Sequence, residues 1–164
     1  MLNRKTEITK IIAAGIVGTT FMTLYSYVIS RKEKQQYVEP VLLNKLIDGS
    51  ENLPDIENKD THPAGWFAHY GVGILFVVGY WIVWRRALRS PGPVRALIIG
   101  ALSGIVAIGA WKAMFAANAN PPHNDRYGYF RQLFYAHLIF SALAIAGYKL
   151  PEYLRQSKTK SLIS

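Results

Sequence analysis

Four histidines, His62, His69, His123 and His137, are the residues of this 164-residue chain whose type and placement point most directly to chemistry. Two imidazoles brought together can ligate zinc or copper, hold a haem iron axially, or change protonation between about pH 5 and 8. Helical spacing of three and four puts His69 on a face with Gly65, Gly73, Phe76 and Tyr80. The same spacing puts His137 with Phe134, Ser141, Ala144 and Tyr148. If both faces point inward, the rings meet in one cavity, near one or more of Gln132, Arg131, Lys112 and Tyr135. Those six residues are the candidate ligand-linked or proton-linked set. The plainer alternative is that each ring makes a structural hydrogen bond between helices. No cofactor is expected first, with haem b or a divalent metal on His69 and His137 as the alternative. The chain has no cysteine, which excludes disulfides and thiolate metal sites. It has no Gly-rich phosphate loop, no His-Glu-x-x-His and no nucleophile elbow, so no catalytic residues are assigned and no enzyme activity is expected.

The elements that must position these rings are apolar stretches of membrane-crossing length, which takes roughly 20 residues. Span one covers Ile8 to Ser30, span two Ala64 to Trp84, span three Val94 to Ala117, and span four Tyr129 to Tyr148. The fold class expected is all-α, a bundle of four transmembrane helices forming a single membrane domain over residues 1–164. Mean hydropathy is only +0.11, because the polar segment Arg31 to Thr61 dilutes the spans. Within that segment VEPVLLNKLIDG reads as a short amphipathic helix, with Pro40 in its first turn and Gly49 as its stop. Such a helix is marginal alone and should rest on the membrane interface or the bundle mouth. Ser90-Pro91-Gly92-Pro93 reads as a tight connection, and Asn118 to Asp125 as a turn. No Asp or Glu falls inside these four spans, which argues against a carboxylate proton relay.

Lys and Arg set the expected orientation. The N-terminal tail, the span two–three loop and the C-terminal tail hold 11 of the 19 basic residues and only Glu7 and Glu152 among the acids. The loop Arg85 to Arg95 carries four arginines and no acid. These segments should be cytoplasmic, which places both termini inside, Arg31 to Thr61 outside, and all four histidines in the outer half. The N-terminus is basic like a signal peptide, but its apolar run is too long and lacks a small-x-small end, so span one is expected to stay uncleaved. The net charge of +9 fits this bias and an anionic lipid surface. Nothing in the sequence suggests a nucleic-acid partner. Tyr25, Tyr27, Trp66, Trp81, Trp84, Trp111, Tyr127 and Tyr129, near span ends, read as an interfacial belt.

Spans two and four share a pattern: Ala68-His69 and Gly79-Tyr80 recur as Ala136-His137 and Gly147-Tyr148 at the same separation. Spans one and three share a fainter echo, Ala14-Gly15-Ile16-Val17 against Ser103-Gly104-Ile105-Val106. This suggests two hairpins related by an axis along the membrane normal. Gly15 with Gly18, Gly71 with Gly73, and Gly100 with Gly104 are expected to allow close helix packing.

His69 to Tyr80 (HYGVGILFVVGY), the Gly-rich third span, Pro121-Pro122, and Gln132 with Ala136-His137-Leu138 together resemble the YagU-type family of small, uncharacterised four-helix bacterial inner-membrane proteins. Gly15, Gly18-Thr19 and Met22-Thr23 are also similar to that family's opening span. The resemblance covers about Ala64 to Tyr148. The first outer loop is shorter and the inner loop richer in arginine than in that family. The resemblance implies a bacterial inner membrane and no activity. The function expected is a non-catalytic, ligand-binding or proton-sensing bundle with an outward-facing histidine cavity. A small channel or carrier acting as an oligomer is one alternative, and a haem b redox subunit held through His69 and His137 is another. The lipid bilayer is the expected partner, with a second copy or a membrane-complex subunit beside it.

Overall fold

A computed structural model describes residues 4–161. It contains α1 (Arg4–Glu33), α2 (Glu39–Asp48), α3 (Pro63–Arg89), α4 (Pro93–Ala117) and α5 (Arg126–Ser161). Four of these, all but α2, are long and apolar enough to cross a membrane, over Lys5–Glu33, Pro63–Arg89, Pro93–Ala117 and Arg126–Leu154. The chain is a multi-pass membrane protein with an all-helical, four-helix bundle fold. The helices extend beyond the expected spans at most ends, because polar residues continue a helix readily once it leaves the apolar layer.

Local chemistry explains the boundaries. Pro40, Pro63 and Pro93 each sit in a first turn, where the missing N–H costs nothing. His62 caps α3, its Nδ1 accepting from the Ala64 N–H at 3.3 Å. Lys34 follows α1 with φ 54°, and Gln35 N–H bonds back to Ser30 C=O at 3.1 Å, a left-handed C-terminal stop on a non-glycine residue. Trp84 leaves helical geometry at φ −145°, ψ 62°, and kinks α3 before its basic end.

Small residues close three seams of the bundle. A side chain on Gly18 would meet Phe140 and Ala144, and one on Gly147 would meet Val17 and Ala14, so α1 and α5 lie close along their length. Gly15 admits Ile74 and Gly73 admits Thr19 between α1 and α3. Gly100 and Gly104 admit Leu138 and Phe134 between α4 and α5. The fourth seam, between α3 and α4, is nearly open. Among the described residues a hydrogen bond crosses it from Tyr80 OH to Ser103 Oγ at 2.9 Å. Gly71, expected to pack with Gly73, instead has nothing within 4 Å, as do Gly79 and Gly109.

The expected aromatic belt needs correction at two positions. Trp111 and Tyr129 are buried, with ring centroids 5.2 Å apart, in a cluster with Phe115. Aromatic burial between α4 and α5 outweighs interfacial placement there.

Candidate functional site

The short helix α2 makes the site. Residues Tyr37 to Leu42 are all buried, because α2 folds back across one end of the bundle. Asn44 anchors it: its Nδ2 donates to Lys59 C=O at 2.8 Å and His62 C=O at 2.9 Å, while Oδ1 accepts from Gly65 N–H at 2.7 Å. A side chain at Gly65 would strike the Pro40 carbonyl, so only glycine lets α2 sit this close to α3. Asn118 adds a bond from Nδ2 to Leu46 C=O at 2.7 Å, tying α2 to the end of α4.

This docking drives Glu39 inward, where 1% of it remains exposed. Its Oε1 accepts from Ser26 Oγ at 2.8 Å and lies 3.5 Å from Gln132 Nε2, which itself donates to Ser26 Oγ at 2.5 Å. Its Oε2 is buried with no hydrogen-bond partner. Burial pushes the Glu39 carboxyl up to about 7, with hydrogen bonds from the Glu39 backbone, Ser26 and Gln132 pulling the other way.

Beneath Glu39 lies a cavity of about 180 Å³ to which every helix contributes. Its walls include Thr19 of α1, Glu39 of α2, His69 and Phe76 of α3, Trp111 of α4 and His137 of α5. Both expected imidazoles are therefore on one buried space. Their partners fix the tautomers of the neutral rings. His137 Nδ1 lies 2.9 Å from the Leu133 carbonyl, which can only accept, so Nδ1 donates and Nε2 keeps the lone pair. His69 Nε2 lies 3.0 Å from Thr23 Oγ1, whose hydrogen goes to Thr19 C=O at 2.8 Å. Nε2 is then the donor, and Nδ1 is the acceptor that His69 offers. Phe76 stands edge-on to the His137 ring at 5.3 Å between centroids and holds it in place.

Of the other expected site residues, Gln132 joins through Glu39 and Ser26. Arg131 pairs instead with Glu33 at 2.8 Å and is half exposed. Lys112 is exposed, with its ammonium 5.5 Å from the centroid of the Phe130 ring, and Tyr135 is half exposed. His62 is a helix cap, and His123 is exposed. Among the described residues no group of three or more His, Asp or Glu could hold a metal ion.

The four apolar stretches hold no acid, as read from the sequence, but two acids lie buried at the ends of the bundle beyond them. Glu39 enters from α2. Glu7 lies in the first turn of α1, just before the apolar stretch, where its Oε2 accepts from Tyr148 OH at 2.7 Å and Trp81 Nε1 at 3.0 Å. Arg89 stands 3.6 Å from Glu7, and Lys10 bonds Glu152, so this second cluster ties α1, α3 and α5 at the end away from α2. In sequence the one hint of Glu39's fate was an acid set among Tyr37, Val38, Pro40, Val41 and Leu42. Compared with known protein families, with curated proteins and with solved structures, the chain matches none.

Proposed function

We propose that this membrane protein is a non-catalytic ligand-binding bundle of the bacterial inner membrane, with cytoplasmic termini and an outward-facing cavity. The location follows the sequence likeness and the Lys/Arg bias. The observation that carries the binding reading is the convergence of His69 and His137 on one largely apolar cavity of about 180 Å³, with Glu39 in its wall. Two imidazole lone pairs accept, and the Thr19 hydroxyl on the same wall has no partner of its own, so the fitting ligand is small, apolar and carries a hydroxyl-like group that donates to an imidazole. Apolar cavities of about 150 Å³ take a benzene-sized guest, and this one leaves room for a hydroxyl besides.

The polar groups also favour binding over conduction. Along α1 they run from Ser26 through Thr23 to Thr19, then give way to buried Ala14 before Lys10 and Glu7, and the mid-bundle hydroxyls of Ser103 and Ser141 are turned onto backbone carbonyls. A conduit for ions needs a more continuous polar lining.

Phenol and benzene are suitable probes, measured by calorimetry on the whole chain in mild detergent. Phenol should bind roughly fivefold tighter than benzene, the worth of one net hydrogen bond. His69→Leu with His137→Leu should abolish that preference. Equal binding of phenol and benzene by the parent protein would overturn the reading.

A further inference from the structure

The open seam between α3 and α4 forms a second space, a groove of about 440 Å³ that is separate from the histidine cavity. Val72, Leu75, Gly79 and Val83 form one wall, and Leu102 and Val106 belong to the other. From Val72 to Trp84 the groove follows twelve residues of helix, about 18 Å at 1.5 Å per residue. That is close to the depth of one leaflet of hydrocarbon, about 15 Å.

One end of the groove is strongly basic. Arg86 lies two residues beyond Trp84, just past the kink of α3, and Arg95 four residues before Ile99, the last groove residues on the two walls at that end. Their neighbours are committed elsewhere: Arg85 stacks on the Trp81 ring at 3.7 Å, and Arg89 faces Glu7. Among the described residues neither Arg86 nor Arg95 meets a carboxylate within 4.0 Å; Arg95 donates to the Ser90 carbonyl. The sequence repeat sharpens the contrast. Gly147 is filled by Val17 and Ala14, whereas its counterpart Gly79 faces open space. We propose that this groove holds an acyl chain of an anionic phospholipid, with the headgroup phosphate held by Arg86 and Arg95. A second copy of the chain, related by a twofold axis along the membrane normal, would bring these arginines against themselves. A negatively charged headgroup complements them.

The test uses the full chain in dodecylmaltoside, titrated with phosphatidylglycerol or phosphatidylcholine of identical acyl chains. Phosphatidylglycerol should bind tighter, by roughly fivefold for each of the two arginines and about 30-fold in all. Arg86→Gln with Arg95→Gln should bring the two lipids level. Gly79→Phe should displace both lipids while leaving the lipid-free melting temperature within a few degrees, because nothing lies within 4 Å of the added carbon. Equal binding of the two lipids by the parent, or unchanged phosphatidylglycerol binding in Gly79→Phe, would overturn the proposal. So would a parent dimer that Gly79→Phe dissociates, which would give the groove to a second copy.

Discussion

Replacing Glu39 by glutamine should remove a pH dependence of stability from this protein. Burial raises the carboxyl from an ordinary 4.5 to about 7. Ionising it in the folded protein therefore costs roughly 3 kcal/mol more than in the unfolded chain. The sign follows from proton counting. Between these values the folded state keeps a proton that the unfolded state has lost, so stability falls as pH rises. The Glu39 contribution to stability is greatest at and below about pH 4.5, declines to about pH 7, and is flat above. Glu39→Gln cannot ionise. It should match the parent near pH 4.5 and exceed it at pH 8 by up to about 3 kcal/mol. Asp48 does not confuse the window, because its pairing with Lys59 at 2.5 Å lowers its carboxyl and acts only at more acidic pH. His69 and His137 share the cavity, so any slope left in Glu39→Gln reports on them, and His69→Leu serves as a second background. The assay is denaturant unfolding in mild detergent at pH 5 and pH 8, followed by tryptophan fluorescence. A Glu39→Gln variant that keeps the parent's full pH dependence would refute the reasoning.

Four further outcomes are expected. Asn44→Ala removes the three hydrogen bonds that hold α2, so proteolysis between Ser50 and Asp60 should accelerate, and stability should fall by about 2–3 kcal/mol. Gly18→Leu should destabilise by about 1–3 kcal/mol, because its first carbon already lies 2.9 Å from Phe140 and Ala144. In the same melting assay Gly71→Ala, in open space, should be neutral or gain up to about 1 kcal/mol from helix propensity. Reporter fusions at Ser50 and Ser90 should report opposite sides of the membrane; a same-side result would reject the proposed orientation.

Much of the architecture was legible in sequence because it is set by local quantities. Apolar length located the four spans, and Pro40 with Gly49 located α2 to within a residue or two. His69 and His137, which open the two matched separations, both line one cavity. The tyrosines that end them each donate to a neighbouring helix, Tyr80 to Ser103 and Tyr148 to Glu7, a role the repeat did not signal. What stayed hidden depends on contacts distant in the chain. Glu39 reaches the cavity only because α2 docks on Gly65 and Asn44 finds three backbone partners, which no periodicity encodes. Arg131 and Lys112 looked equally suited to the site. An acid at Glu33 holds the one in place, and the other lies exposed beside the Phe130 ring. Nor does sequence distinguish Gly147, filled by α1, from Gly79, which nothing fills.

Val72 and Phe76 line both the histidine cavity and the groove between α3 and α4. The two spaces share these two side chains, so an occupant of either meets them. Any resulting coupling must be reciprocal: the factor by which an acyl chain changes the cavity's affinity equals the factor by which a cavity ligand changes the affinity for that chain. Affinities measured in detergent and in anionic bilayers would then differ by that factor. The surrounding membrane would act as an effector of the cavity, through a wall the two spaces hold in common.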